Sequence, residues 1–107
     1  MGFLDLFKAP DINQGIREYR ETQNAVLLDV RTPQEYQEGY IPNSKNIPLQ
    51  LLENISTIAE DKNTPLFIYC HSGVRSQQAV AVLQHMGYTK VKDIGGIIDY
   101  SGKVEKR

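Results

Sequence analysis

Apolar residues in this chain alternate between two spacings, short uninterrupted runs and stripes that recur every three or four positions. Val26 to Val30 and Leu66 to Tyr69 are runs of strand length with almost no polar interruption, the signature of strands covered on both faces. Ala79, Val82, Leu83 and Met86 fall at i, i+3, i+4 and i+7, so the segment Ser76 to Met86 reads as a helix lying on an apolar face, and Gly87 stops it. Asp11 followed by Gln14 opens a helix that runs to about Thr22, with Gly15 as a local cost. Thr32-Pro33-Gln34-Glu35 is a fuller start signal: Thr32 caps, Pro33 takes the first turn, Glu35 reaches back, and the short helix ends at Gly39. Asn46-Ile47 begins a short strand. Leu49, Leu52, Ile55 and Ile58 share one face of the helix after it, and Val91 to Ile94 form the last strand. Strands alternating with helices predict an α/β fold, a parallel sheet with helices on both faces. Ligands in such sheets bind beyond the carboxyl ends of the strands.

Cys70 stands at that end of the most apolar strand and is the only cysteine in the chain. It opens the loop Cys70-His71-Ser72-Gly73-Val74-Arg75-Ser76, which leads into the helix. Buried cysteines are commonly inert packing, but here three neighbours argue for a reactive thiol. Gly73 allows a sharp turn in which backbone N–H groups converge on an anion. Arg75 brings a permanent cation close to the thiol, and Ser76 is placed to cap the helix. A helix N-terminus and converging amides favour thiolate over thiol, so the loop reads as the seat of a nucleophile.

Three stretches then carry a resemblance. Cys70 to Ser76 resembles the active-site loop of the rhodanese family, C-R-S-G-x-R-S. Leu27-Leu28-Asp29-Val30-Arg31 through Glu35-Tyr36, Gly39 and Ile41 to Asn46-Ile47-Pro48 is similar to that family's D-V-R-x-x-x-E-[FY]-x-x-G-H-I-x-G-A-x-N-[IL]-P. Gly95-Gly96-Ile97-Ile98-Asp99-Tyr100 resembles its closing G-G-[IV]-x-x-W. The matches keep the family's order from Leu27 to Tyr100. Tyr40, Asn43, Ser44 and Tyr100 replace the family's common histidine, glycine, alanine and tryptophan, and His71 replaces a frequent loop arginine. The resemblance implies a rhodanese-like three-layer sandwich, a mostly parallel sheet of four or five strands with helices on both faces. It also implies that Asp29 and Arg31 flank the active loop as supporting residues. The chemistry implied is sulfur transfer. Cys70 attacks the sulfane sulfur of a donor such as thiosulfate or a persulfide, and the outer sulfur of the resulting persulfide passes to cyanide, a small thiol or a protein thiol. In that scheme the amides of His71, Ser72, Gly73, Val74, Arg75 and Ser76 cradle the persulfide, and Arg75 orients an anionic donor. The loop offers no general acid or base apart from His71, which suits a reaction whose leaving group departs as a stable anion.

Length and charge narrow the alternatives. The 107 residues suffice for one domain, expected to span 1–107 with residues 1–10 as an N-terminal tether and 103–107 as a fraying charged tail. The tether includes the apolar cluster Phe3-Leu4-Leu6-Phe7. A net charge of −1 without a basic stripe argues against nucleic-acid binding. No apolar segment is long enough to span a membrane, and the acid-containing N-terminus does not read as a signal peptide. One cysteine makes no internal disulfide, which suits a reducing cytoplasm. His71 and His85 have no ligand partner at metal-binding spacing, so neither metal nor cofactor is expected, and the chain is expected to be a monomer or weak dimer. A cysteine phosphatase or arsenate reductase is the rival chemistry. Four residues separate Cys70 from Arg75, against five in the phosphatase pattern, a ring with room for sulfur but little for a tetrahedral phosphate. A non-catalytic interaction module is the third reading, against which stands the presence of both Cys70 and Arg75.

Overall fold

Backbone pairing and side-chain alternation build the sheet from four strands. The computed structural model describes residues 9–107, so the Phe3–Phe7 cluster lies outside the described residues. In chain order the elements are α1 (Ile12–Glu21), β1 (Val26–Asp29), α2 (Pro33–Glu38), β2 (Lys45–Asn46), a 3₁₀ segment (Leu49–Thr57), β3 (Leu66–Cys70), α3 (Val74–His85), β4 (Val91–Gly96) and a 3₁₀ turn (Ile97–Asp99). The strands lie in the order β2-β1-β3-β4, and every pairing is parallel.

Successive residues of a strand point to opposite faces, and β3 divides accordingly. Leu66, Ile68 and Cys70 join Leu28, Val30, Leu52, Ile55, Ala79 and Leu83 in one core, under α3 and the 3₁₀ segment. Phe67 and Tyr69 join Ile12, Ile16, Leu27, Ile41 and Ile94 in the other, under α1. Two cores on either side of one sheet make the three layers that the resemblance implied. The thiol of Cys70 thereby falls on the α3 side.

Local signals fix several boundaries. Asp11 caps α1 by accepting the Asn13 amide at 3.0 Å, whereas Gln14 turns to Glu18 instead of completing a box. The box at Thr32 is complete: its hydroxyl accepts the Glu35 amide and Glu35 accepts the Thr32 amide. Gly15 is more than a cost to its helix, because a Cβ there would lie 2.5 Å from Ile94 Cγ2; its absence lets α1 settle on β4.

Three expectations need correction. Ser76 does not cap α3. Gly73, at φ 106°, is the N-cap, and the helix starts at Val74, which leaves Ser76 inside the first turn and fully buried. Val82 is not a core residue; the buried stripe is Ser76, Ala79 and Leu83, and Val82 is 42% exposed at its margin. The tail does not fray. Glu105 and Tyr40 exchange backbone hydrogen bonds at 2.9 Å each way, the Arg107 amide donates to Gln37 O at 3.0 Å, and the Arg107 guanidinium lies over the stacked rings of Tyr36 and Tyr40.

Candidate active site

Cys70 is the last residue of β3 and is 1% exposed. Its Sγ accepts the Gly73 amide at 3.0 Å and lies 3.5 Å from Ser76 Oγ. The Ser76 hydroxyl also reaches Gly73 O at 3.1 Å and Gly95 O at 3.4 Å. The Ser76 oxygen thus accepts from the Cys70 thiol while its own proton can go to Gly73 O or Gly95 O. The left-handed Gly73 turns its own amide toward the sulfur while its carbonyl starts α3, accepting Gln77 N at 3.2 Å.

The floor under this loop is the end of β4. A register shift between Ile68 and Tyr69 sets Gly95 beside Tyr69 and Gly96 beside Cys70. A Cβ on Gly96 would collide with the His71 carbonyl oxygen and lie 2.6 Å from Ser72 Cα and 2.7 Å from His71 C, all of them backbone atoms of the loop. Gly96 of the closing motif thus works as clearance for the loop, whereas a Cβ on Gly95, at φ 106°, would face Pro10 and Ile12 instead. His71 O accepts the Ile98 amide at 3.1 Å, which ties the loop to the 3₁₀ turn. The side chains of His71, Ser72 and Val74 face solvent. Beside the loop lies a 370 Å³ hollow bounded by Ser72, Gly73, Val74 and Gln77 on one side and by Asp93 and Asp99 on the other.

Arg75 is committed elsewhere than expected. Its two terminal nitrogens donate to the two oxygens of Glu35 at 2.7 and 2.9 Å, a forked ion pair in which both side chains are 31% exposed. The Arg75 hydrogen bonds, ahead of those from Thr32, hold the Glu35 carboxyl down at about 2, and the same contact pushes the Arg75 guanidinium further up. Glu35 is legible in the sequence only as half of a capping box. Its second task depends on a residue forty positions away, and its place in the D-V-R-x-x-x-E stretch is the available signal.

Asp29 and Arg31 form a second fork at the end of β1. Arg31 donates to Asp29 through Nε at 3.0 and 3.1 Å and through a terminal nitrogen at 2.7 Å, and that same nitrogen reaches Gly39 O at 2.6 Å. Both residues are buried, and burial opposes the Arg31 charge while Asp29 supports it, leaving its basicity raised. Asn46 Nδ2 closes the corner by donating to Asp29 O and Arg31 O. Their side-chain bonds run to one another and to Gly39; they brace the strand beside β3 without a hydrogen bond to the loop. Behind them, burial raises the Tyr69 phenol above its ordinary value, and Tyr69 accepts the Ile41 amide while bonding Ser44 Oγ.

Set against known proteins, the sequence matches a family model described as the rhodanese-like domain over residues 13–102. It is 42% identical over 73 residues to thiosulfate sulfurtransferase PspE of Escherichia coli, covering 67% of this chain and 70% of that protein. A sulfurtransferase of Allochromatium vinosum is 40% identical over 83 residues, 76% of each chain. Among solved structures, a rhodanese with anions from E. coli superposes with a TM-score of 0.73 at 38% identity, over 78% of this chain and 99% of that one.

Proposed function

The chain belongs to the rhodanese-like domain family and is a rhodanese-type sulfurtransferase, and we propose that it carries sulfur as a persulfide on Cys70. The observation that supports this is the environment of its one thiol: a sulfur at the carboxyl end of the central strand, held 3.0 Å from an inward-turned amide and 3.5 Å from a buried hydroxyl, at the base of a glycine-hinged loop.

The Cys70 thiolate attacks the outer sulfur of a sulfane donor. An S–S bond forms at Cys70, the donor's own bond to that sulfur breaks, and the leaving group keeps the electron pair: sulfite from thiosulfate, a thiolate from a persulfide. Charge is conserved and no general acid is required. The loop amides of His71 to Ser76 then surround the terminal sulfur, whose negative charge is favoured at the start of α3. Gly73 N and Ser76 Oγ hold the inner sulfur in place. Cyanide or an acceptor thiolate next attacks the terminal sulfur and leaves as thiocyanate or a new persulfide, returning Cys70 as thiolate. The open hollow borders Ser72, Gly73 and Val74 of the loop, the side from which small or protein-borne thiols would approach. Partners are thus a small sulfur donor and a thiol or cyanide acceptor, with no nucleic acid or membrane in the cycle, and the domain acts as a monomer or weak dimer. Among the described residues no helix is long and apolar enough to cross a membrane; a reducing compartment such as the cytoplasm suits a single catalytic thiol.

Intact mass after incubation with thiosulfate or a small persulfide tests the reading. A gain of one sulfur atom, removed by cyanide with release of thiocyanate and absent in Cys70→Ser, is the expected result. A wild-type protein that gains no sulfur from either donor overturns it.

A further inference from the structure

Two arginines stand where a cation could meet a negatively charged donor, and both are already paired. Arg31 is buried in its fork with Asp29. Arg75, the one on the loop itself, gives both terminal nitrogens to Glu35. Glu35 is itself fixed from behind, since Oε1 also accepts the Thr32 amide at 3.0 Å and its hydroxyl at 3.1 Å. Two bonds from Thr32 and two from Arg75 thus meet on this one carboxylate. Among the described residues, the hollow beside the loop adds the carboxylates of Asp93 and Asp99 and no lysine or arginine. Among the described residues, the loop and the hollow beside it therefore offer oriented amides but no unpaired lysine or arginine.

We propose that Glu35 is a positioning residue that sets donor specificity: by holding Arg75 in a forked ion pair it cancels the loop's charge and selects sulfane donors of low charge, persulfides and thiosulfonate monoanions, over dianionic thiosulfate. This rests on the sulfur-transfer reading above. The Arg75 hydrogen bonds hold the Glu35 carboxyl down at about 2, so Glu35 carries its charge at neutral pH. Arg75 in this scheme anchors the first turn of α3 to α2 and is not the group that captures the donor.

The test compares thiosulfate with the methanethiosulfonate anion. These share the transferred sulfur and a sulfonyl-type leaving group and differ by one negative charge. The readout is the ratio of kcat/KM for the two donors at low ionic strength, with cyanide in excess, in four proteins: wild type, Glu35→Gln, Arg75→Met and the double variant. Glu35→Gln uncovers the guanidinium and should raise the thiosulfate ratio about three- to tenfold. Arg75→Met uncovers a carboxylate and should lower it by a similar factor. The double variant restores neutrality and should return to within about twofold of wild type, while Glu35→Asp, which keeps the charge, should hold the wild-type ratio. Equal losses with both donors in Glu35→Gln would show a merely structural role. A double variant as poor with thiosulfate as Arg75→Met alone would show that Arg75 grips the donor itself. Either result overturns the proposal. Salt dependence in the wild type tests the same point without any variant: a thiosulfate ratio that is flat or rises with salt supports cancelled charge, and one that falls steeply overturns it. Mass analysis of Cys70 runs alongside. Sulfur gained on Cys70 together with ratios that ignore Glu35 sinks donor selection only, whereas no sulfur gained from either donor sinks the transfer reading beneath it.

Discussion

Adding one methyl group at Gly96 tests how the loop is held. The backbone there, φ −121° and ψ 141°, suits any residue, so Gly96→Ala meets no conformational strain and only a lack of space. The new Cβ would lie 2.6 Å from Ser72 Cα and 2.7 Å from His71 C, where ordinary contact begins at 3.4 Å. Ser72 Cα must therefore retreat by about 0.8 Å and the His71 carbonyl oxygen by more, because atoms in a packed region cannot interpenetrate. Gly96 pairs with Cys70 in the sheet, and the obstructing atoms lie within the turn that aims Gly73 N at Sγ, so the displacement falls on the reacting group. Misplacement on the order of 1 Å costs up to about a hundredfold in rate; overpacking costs about 1–3 kcal/mol in stability. The expectation is a fall of about 10- to 100-fold in kcat/KM for cyanide-dependent thiocyanate formation, with a folded protein of reduced melting temperature. Gly102→Ala is the matched control. Its Cβ also comes close to another residue, at 2.9 Å from Tyr100 Cε2, but the obstacle is a half-buried side chain on the α1 side of the sheet and not the backbone of the loop. If Gly96→Ala and Gly102→Ala both kept activity within about threefold of wild type, the loop would not be positioned by close packing on β4 and the reasoning would fail.

Other expected outcomes rest on the same contacts. Cys70→Ser should abolish thiocyanate formation and sulfur uptake while leaving a cooperative melt, since a hydroxyl can keep the Gly73 and Ser76 contacts but is a far weaker nucleophile; residual turnover above background would remove Cys70 from the mechanism. The Glu35 carboxyl is lowered from 4.5 to about 2, so its stabilisation is complete above about pH 4.5 and is lost as pH falls through 2. Given that solvent reaches the pair, the stability gap between wild type and Glu35→Gln should shrink by about 1 kcal/mol between about pH 5 and about pH 2, read from urea midpoints; a constant gap contradicts the ion pair's role. Deleting Val104 to Arg107 removes the Tyr40 bridge, the Gln37 bond and the guanidinium over two rings, and should cost about 1–3 kcal/mol. An unchanged melt would mean that the tail frays after all.

What the sequence shows clearly is what neighbours in sequence decide. The box at Thr32, the stop at Gly87 and the apolar run Leu66 to Tyr69 depend on residues within a few positions of one another; each appears where expected, the strand running one residue further to take in Cys70. Ser76 departs from its expected place because two residues compete for one cap. Gly73 adopts a left-handed turn that ordinary side chains disfavour, so the helix starts there and carries Ser76 inward to the thiol. The stripe of Ala79, Val82, Leu83 and Met86 marks the right helix but not its rotation, which the sheet and the neighbouring 3₁₀ segment settle. Glu35 with Arg75, and Arg107 over Tyr36, are hidden from such reading for a different reason: the partners lie far apart along the chain and meet only once the sheet has formed.

Placement of the thiol follows from parity. Leu66, Ile68 and Cys70 share a face, and that face lies under α3, so a strand one residue longer or shorter would turn its last side chain toward α1 and away from the loop amides. The register shift in β4 then adds what parity alone cannot. By slipping one residue after Ile68 it brings two consecutive glycines level with Tyr69 and Cys70, where the loop must cross. With a side chain on Gly96 the crossing would be blocked; without the shift, that clearance would fall elsewhere along the strand. The loop's chemistry thus depends on three separate features of the fold: the parity of β3, the slip in β4 and the left-handed Gly73. Arg75 enters at a later step, through its ion pair to α2, so a change at Glu35 is expected to alter donor preference while leaving the placement of Cys70 intact.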